Sequence, residues 1–363
     1  MRIQKARLLP YRLPLRAAWR TRRGALRVRR GWLVELGLAD GRRGLGDCAP
    51  LPAAGTEAAD DAEQWLRERL DDCPGREAQA VLTGLEAPGS HPAARHALES
   101  ALLDLLTRTA GIGLRHWLNP RAGDSIAVNA AAGRLDARTG ERCQSLHEQG
   151  FRVCKLKVGV GPLADEMGWL QRFAGRLPER MRLRLDANGA WEPAAASDFL
   201  RAIAGLPVES LEEPLADPDP GRLAALQDQT PISLALDESL PGLSPDRLWK
   251  EGYVRRIVIK PTVLGGVIPA YRLARQAQQA GLETLVTSTL ESAVGLHAAA
   301  QLAAALELPD RPLSHGLATA RWFSEDVAVP PTLHQGRIQL PANPGMGVTT
   351  DYQANGERKS WTG

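Results

Sequence analysis

The chain has 363 residues, of which 44% are hydrophobic and 24% are charged, and its formal net charge at pH 7 is +3. This ordinary globular composition excludes a disordered, collagen-like or coiled-coil chain, and the length suits one large barrel with a smaller attached domain. The small net charge gives no support for a nucleic-acid partner.

The sequence shows no membrane-spanning run, no signal peptide and no metal-binding cysteine spacing. No apolar run approaches the roughly 18 residues needed to span a bilayer, and the N-terminal segment lacks the apolar core of a signal peptide. We therefore expect a cytoplasmic protein with no membrane contact. The cysteines show neither CxxC nor Cys/His spacing, so we expect reduced, mostly buried thiols. They are Cys48, Cys73, Cys143 and Cys154.

Residues 1–120 are predicted to form an α+β domain. The runs ARLLPYRLPL and GWLVELGLADG have the character of strands, and TEAADDAEQWLRERLDD and HPAARHALESALLDLL have helical spacing. Strands followed by helices are typical of this class. Residues 20–30, RTRRGALRVRR, form either a solvated hairpin or loop, or a loop that faces an anionic ligand.

From Ser125 onward, short β-rich runs alternate with helix-like stretches. The runs are SIAVNA, FRVCKLKV, MRLRLDAN, VESLEEP, ISLALDES, RRIVIKP, LETLVTS and RPLSHGL. Their spacing of roughly 22 to 29 residues leaves room for a strand, two short loops and a helix. Eight such units predict a closed parallel β/α barrel over 121–323. We expect the proline-containing segment 324–363 to pack back on the first domain.

Lysine is rare in this chain, because only six of its 45 basic residues are lysines. Three of the six lie at predicted barrel strands: Lys155 and Lys157 share one strand face, and Lys260 ends IVIK. A lysine can lose its proton when it is desolvated near a cation, whereas arginine keeps its proton. These lysines are therefore candidates for proton transfer. The alternative is that they extend to solvent or pair with nearby carboxylates.

Three successive predicted strands end in carboxylates. The third ends at Asp186, the fourth at Glu212 and Glu213, and the fifth at Asp237 and Glu238. Active sites of β/α barrels lie at the carboxyl ends of the strands, so these groups and the lysines are expected to meet there. One such acid alone could simply cap a helix. Three hard oxygen ligands together favour Mg2+ or Mn2+. A substrate carboxylate on that metal would place its α-carbon between the lysines, which predicts removal of the α-proton.

At these residues the sequence resembles the enolase superfamily, in its muconate-lactonising-enzyme-like branch. The matching pieces are KLK at 155–157, LRLDAN at 183–188, LEEP at 211–214, LDES at 236–239 and IKP at 259–261. GLGDCAPLPA at 44–53 and ALESALLDL at 97–105 are similar to the capping domain of that family. The resemblance covers nearly the whole chain. It implies an α/β fold, a modified (β/α)7β barrel with an N-terminal α+β capping domain.

The resemblance also implies roles for individual residues. Lys157, the second lysine of KxK, would be the base, Lys260 would be the opposing lysine, and Lys155 would also belong to the catalytic group. The implied Mg2+ ligands are Asp186, Glu212 and Asp237, with Glu213 behind them. The implied substrate-binding residues are Arg184, Asn188, Ser288 and Thr289.

Within the branch, 287–296 and 314–327 are similar to the seventh and eighth strand regions of the o-succinylbenzoate synthases of menaquinone biosynthesis. Those enzymes dehydrate a cyclohexadiene carboxylate to an aromatic product. The absence of a DxD pair between Ser314 and Val327 disfavours a dipeptide epimerase. Threonines at 287 and 289, where serines are frequent, keep an N-acylamino-acid racemase or a cycloisomerase open.

Two other classes of function fit the sequence less well. A non-catalytic binding barrel would be favoured if the two opposing lysines or the three metal ligands were missing, and Lys157, Lys260, Asp186, Glu212 and Asp237 are all present. A dinucleotide-binding dehydrogenase is disfavoured, because GVGPLAD at 159–165 lacks the third glycine of GxGxxG. The expected partner is a small carboxylate, and a homo-oligomer is left open. Asp47, where many family members have Glu, is expected to lie far from the chemistry.

Overall fold

The computed structural model describes residues 1–21, 24–85, 89–244 and 252–350. Arg22 and Arg23, from the basic run, lie outside these ranges. The described strands form an antiparallel sheet of three strands, a parallel sheet of seven, and a small antiparallel sheet of three. Within the described ranges, no helix is both long and apolar enough to cross a membrane.

The N-terminal sheet contains β1 (Lys5–Thr21), β2 (Gly24–Gly37) and β3 (Arg43–Cys48), in that order. The helices that follow are α1 (Ala59–Asp71), α2 (Ala78–Thr83) and α3 (Pro92–Thr109). Strand β3 packs directly on α3, and a Cβ atom at Gly46 would lie 1.9 Å from the Ala97 carbonyl oxygen. Strand β3 is not evident from the sequence, because glycine is depleted in strands and the close packing that requires glycine is not visible in the chain.

The parallel sheet forms the barrel and follows the short strand β4 (Ser125–Ala127). Its strands are β5 (Ala130–Arg134), β6 (Val153–Lys157), β7 (Arg182–Asp186), β8 (Val208–Glu212), β9 (Ser233–Leu236), β10 (Arg256–Ile259) and β11 (Glu283–Val286). Each strand pairs in parallel with the next along the chain. Two single bridges close the ring, from His315 to Val128 and from Gly316 to Thr287. The predicted modified barrel is therefore confirmed.

In the described ranges, helices follow β5, β6, β7, β8, β10 and β11, as the predicted alternation requires, and one short helix precedes β4. They are α4 (Leu114–Leu118), α5 (Thr139–Glu148), α6 (Leu163–Ala174), α7 (Pro193–Ala202), α8 (Pro220–Gln227), α9 (Val267–Gln279) and α10 (Ala293–Leu306). Every residue of α10 is buried, because this alanine-rich helix contacts β11 on one side and α4 and β3 on the other. It thereby joins the barrel to the N-terminal elements.

The first and last barrel strands differ from their predictions. Ser125–Ala127, predicted as the first strand, pairs instead with β13 (Arg337–Gln339), the partner of β12 (Thr332–His334). The true first strand, AAAGR, lacks the β-branched and aromatic residues that mark a strand in sequence. The predicted eighth strand is reduced to the bridging pair at 315 and 316.

The C-terminal segment contacts the N-terminal elements. The Ser324 amide donates to the Pro14 carbonyl at 3.0 Å, and Arg108 of α3 donates to the Val348 carbonyl at 2.9 Å. The exact limits of the domains stay a prediction.

Candidate active site

The polar residues predicted for the strand ends lie on five consecutive strands. We call this group the rim site; it comprises Lys155, Lys157, Asp186, Glu212, Asp237 and Lys260. Lys157 pairs in register with Asp186, which pairs with Glu212. Asp237 directly follows β9, and Lys260 directly follows β10. The parallel register thus places acids and lysines at one edge of the sheet.

Lys155 is held by two acids of the rim site. Its Nζ lies 2.9 Å from Asp186 Oδ2 and 2.6 Å from Glu212 Oε1. Burial alone would lower the pKa of Lys155, but the carboxylates of Asp186, Glu212 and Asp237 outweigh burial and raise this pKa. Lys155 is therefore a charged bridge between acids and is poorly suited to accept a proton in this arrangement.

The other two lysines differ from each other in their partners. Lys260 Nζ lies 2.5 Å from Asp237 Oδ2, and although burial lowers the pKa of Lys260, Asp237 and Glu238 raise it overall. Lys157 is half-buried, and within the described residues its Nζ has no hydrogen-bond or ion-pair partner. Of the three lysines, Lys157 is therefore the one whose Nζ no carboxylate of the described residues holds.

Glu212 is the most frustrated carboxylate of the rim site. Its Oε1 accepts from Lys155, whereas its buried Oε2 has no hydrogen-bond partner among the residues that the structure describes. Burial raises the pKa of Glu212 to about 8, with Lys155 opposing this rise and the nearby Asp186 and Asp237 adding to it. A buried oxygen without a partner is costly, and a bound cation would satisfy it.

The acids of the rim site fit a hard divalent cation by their chemistry. Three carboxylates supply the oxygen donors that Mg2+ and Mn2+ prefer, and Glu212 Oε2 is available. Across the described parts of the chain, no three Asp, Glu, His or Cys side chains already surround one point as ligands. Lys155 and Lys260 instead lie against the carboxylates, so metal binding would require these contacts to rearrange.

Two residues with left-handed backbone support the acids. Glu213, at φ 44°, accepts from the Asp237 amide at 2.6 Å and from Ser239, and so holds the turn after β9. Asn188, also at φ 44°, donates from its backbone N–H to Asp186 Oδ1 at 3.1 Å. Such conformations are uncommon outside glycine and concentrate at functional sites. The role of Asn188 in binding substrate stays a prediction.

Arg184 was predicted to bind substrate, and this role stays a prediction, although the contacts of Arg184 in the structure lie inside the barrel. It lies two residues before Asp186 on the same strand face, which puts it one layer deeper in the barrel. Its guanidinium is buried and donates to Glu209, to Asn129 Oδ1 at 2.9 Å and to the Ser314 carbonyl at 3.1 Å. With these donors engaged below the rim, we assign Arg184 to the support of the barrel interior.

Ser288 and Thr289 lie in the turn after β11, and both hydroxyls donate to the buried carboxylate of Glu291. Thr262, two residues after Lys260, donates to the same carboxylate at 2.7 Å. Burial raises the pKa of Glu291, but the hydrogen bonds from Ser288, Thr289 and Thr262 outweigh burial and lower it. Glu291 therefore joins the loops after β10 and β11.

Glu291 does not stand out in the sequence as a site residue, although it lies within TSTLESAVGL. The available signal was an acid directly before Ser292, whose hydroxyl caps α10. Asp47 was expected to lie far from the chemistry. Its Oδ2 instead accepts from the Ser292 amide and hydroxyl, each at 2.8 Å, and so contacts the residue next to Glu291.

Comparisons with known proteins agree with this geometry. Residues 138–354 match the family model "Enolase C-terminal domain-like", and residues 3–93 match the model "MenC, N-terminal domain". An o-succinylbenzoate synthase of Vibrio cholerae is 31% identical over 342 residues, covering 90% of this chain and 93% of the relative. An L-Ala-D/L-Glu epimerase of Bacillus subtilis is 26% identical and covers 99% of both chains.

Solved structures show the same fold. The substrate-liganded L-Ala-D/L-Glu epimerase from Bacillus subtilis superposes with a TM-score of 0.86 at 23% identity, over 96% of this chain and 99% of that chain. A muconate lactonizing enzyme from Pseudomonas fluorescens complexed with muconolactone gives 0.84 at 23% identity, over 96% and 97% of the two chains. At this identity the likeness concerns the fold alone.

Proposed function

This chain belongs to the enolase superfamily, and on that premise we propose that it is a Mg2+-dependent lyase. The proposed reaction removes the proton α to a carboxylate and dehydrates 2-succinyl-6-hydroxy-2,4-cyclohexadiene-1-carboxylate to o-succinylbenzoate, a step of menaquinone biosynthesis. Relatives in the superfamily include dehydratases, epimerases and cycloisomerases.

One observation carries the proposal. Lys157 on β6 and Lys260 after β10 flank the acids of the three strands between them, and the three lysines of the rim site differ in pairing. Lys155 and Lys260 are held by carboxylates at 2.6 Å and 2.5 Å, whereas Lys157 has no such contact among the described residues. This asymmetry supports Lys157 as the base and Lys155 and Lys260 as its charged neighbours.

Asp186, Glu212 and Asp237 would hold the metal. When bound, Mg2+ would supply positive charge for a substrate carboxylate whose negative charge increases as the α-proton leaves. The same charge would favour the neutral form of a nearby lysine.

The protein's own residues then perform the proton transfer. Lys157, as the neutral amine, would accept the α-proton, and the electron pair of the broken C–H bond would move into the carboxylate. Lys260, as an ammonium group, would stabilise the resulting anion from the other side. The pair then returns to form the ring double bond while the C–O bond breaks. The hydroxide takes a proton from Lys157 and leaves as water.

A racemase of N-acylamino acids is the second candidate, and the two-sided arrangement favours it specifically. A base on one face and an ammonium group on the other could remove a proton and return one from the opposite side. Thr287, with a buried hydroxyl that has no partner among the described residues, lines the strand end beside Lys260 and could contact a substrate amide. Such a contact would select between the two substrate classes.

The test compares both substrates with one purified protein. With Mg2+ present, we expect turnover of the cyclohexadiene carboxylate and none of either enantiomer of N-succinyl amino acids, in a coupled assay and by polarimetry. The reverse result would support the racemase. Loss of turnover with EDTA and in Lys157→Ala controls for contaminants. If neither substrate class reacts in the presence of Mg2+, both candidate functions are contradicted.

A further inference from the structure

A buried arginine connects the N-terminal sheet to the turn after β11. Arg29 belongs to the basic run 20–30 but is only 2% exposed. Its Nε donates to the Leu290 carbonyl at 3.0 Å, and its Nη2 donates to the Thr289 carbonyl at 3.4 Å. The remaining donors reach the carbonyls of Ala49 and Pro50. One guanidinium therefore joins residues about 260 positions apart.

The turn that Arg29 holds is strained. Leu290 has φ 63°, a left-handed conformation that a bulky residue adopts only when its surroundings impose it. The two carbonyls that Arg29 binds belong to Leu290 and to the residue before it, so the guanidinium spans the strained position. In the described residues no carboxylate lies within ion-pair distance of Arg29, which leaves backbone carbonyls as its acceptors.

A second contact fixes the other end of the same turn. Asp47 accepts from Ser292, and Tyr11 donates to Asp47 Oδ1 at 2.7 Å. Between these two contacts lies Glu291, which orients the hydroxyls of Ser288 and Thr289. The N-terminal sheet thus holds the turn at Thr289 and Leu290 and again at Ser292, while Glu291 accepts from Thr262 after β10.

We propose that Arg29 is a positioning residue of the active site, which holds the turn 288–292 so that Ser288 and Thr289 meet the substrate in one orientation. The proposal rests on the proposed function only in that the turn contacts the substrate. It gives the basic run a role within the fold. Lysine cannot replace Arg29, because one ammonium group cannot span carbonyls that a planar fork reaches from several nitrogens.

The test uses Arg29→Lys with two independent measurements on the full chain. Hydrogen–deuterium exchange of amides 286–293 should become faster, because the strained turn loses its clamp. For the substrate that the wild type turns over, KM should rise about tenfold while kcat stays within about threefold, as expected when a contact shared by ground and transition state is weakened.

Arg43→Lys is the matched control. Arg43 lies in the same sheet and contacts Glu35 and the Thr350 carbonyl, each at 3.4 Å, away from the turn. Its replacement should change neither the exchange of 286–293 nor KM. An Arg29→Lys protein that matches this control in both measurements overturns the proposal. Faster exchange with unchanged KM, or raised KM with unchanged exchange, also overturns it, since Arg29 would then not act on substrate through the turn.

Tyr11→Phe keeps the proposal testable if Arg29→Lys does not fold. This change removes only the hydroxyl that donates to Asp47, and we expect the same two effects at about two- to threefold in KM. A Tyr11→Phe protein without either effect would then overturn the proposal. If the wild type turns over no substrate of either class, the proposed function fails, while the exchange measurements still decide whether Arg29 holds the turn.

Discussion

Two groups of buried charges lie one above the other inside the same barrel, and they differ in how completely their charges are paired. The lower network comprises Arg184, Glu209, Arg256 and Glu283. Glu209 pairs with both arginines, and Arg256 also pairs with Glu283 at 2.9 Å. The rim site, by contrast, leaves Glu212 Oε2 without a hydrogen bond and Lys157 without a partner among the described residues.

Glu209 and Glu212 show the difference on a single strand. Burial raises the pKa of both carboxyls, but Arg184 and Arg256 reverse this effect for Glu209, whose pKa is lowered. Lys155 does not do so for Glu212, and its pKa is raised to about 8. In a structural charge cluster, the charged side chains thus neutralise one another. A site that binds a charged ligand keeps groups that the fold alone does not satisfy.

The largest expected effect comes from removing the open lysine or the one opposite it. Lys157→Ala and Lys260→Ala should each lower kcat by about a thousandfold or more, because proton transfer loses its base or the anion loses its opposing charge. Steady-state kinetics measure this, and Mg2+ should still bind. The exposed Lys5→Ala should behave as wild type. Near-wild-type activity of either barrel variant would contradict the two-lysine mechanism.

Glu212→Gln and Glu209→Gln separate the two clusters directly. Glu212→Gln should weaken Mg2+ binding by about a hundredfold in calorimetry, because a ligand charge is lost, and should leave stability nearly unchanged. Glu209→Gln should instead lower the free energy of unfolding by about 2 to 4 kcal/mol, because it leaves two buried arginines facing an amide. Equal effects of the two changes on Mg2+ affinity would remove the distinction between the clusters.

Arg184→Met tests whether this residue supports the barrel interior or binds substrate. We expect urea unfolding to show a loss of about 3 kcal/mol, since Glu209 and Asn129 lose a buried partner. KM should change less than about twofold, because the guanidinium lies below the rim. A tenfold higher KM with unchanged stability would instead support the substrate-binding role that the sequence suggested.

The smallest expected effect is on the pH dependence of stability, and it concerns His315. This residue forms one of the two bridges that close the barrel and lies near Arg184. Burial, with Arg184 adding to it, lowers the pKa of His315 to about 3. The unfolded chain takes up this proton below about pH 6.5, whereas the folded chain takes it up only near pH 3, so stability falls as pH drops through that window. Between pH 7 and 5, wild type should lose about 2 kcal/mol more than His315→Asn in urea unfolding. Equal losses would show that His315 protonates freely in the fold.

The sequence predicts the rim site well for a physical reason. Parallel strands end at one edge, so polar residues at the ends of successive strands must meet, and Lys157, Asp186 and Glu212 do so in register. Depth within the barrel was harder to predict, because Arg184 and Asp186 share a strand face and differ only by one layer. Only the hydrogen bonds of Arg184 to Glu209 and Asn129 reveal that its guanidinium lies in the deeper layer.

Contacts between distant segments could not be predicted from sequence patterns. Arg29 resembles its exposed neighbours in the basic run, and only the approach of the Leu290 carbonyl distinguishes it. Glu291 is likewise one acid among 42 acidic residues until Thr262 and Ser288 are placed around it. The first barrel strand was misplaced because its alanines carry no strand signal. The pairing of Ile126 with Ile338 was also not predictable, because the two residues lie more than 200 positions apart.

The central claim is that the open groups of the rim site transfer an α-proton with the help of a divalent cation. It is tested most directly with the cyclohexadiene carboxylate and N-succinyl amino acids that carry deuterium at the α-carbon, followed by mass spectrometry in ordinary water. The account predicts loss of the label in at least one substrate when Mg2+ is present, and retention with EDTA or in Lys157→Ala. Label loss that continues in Lys157→Ala, or conversion of substrate with the label retained, would contradict it.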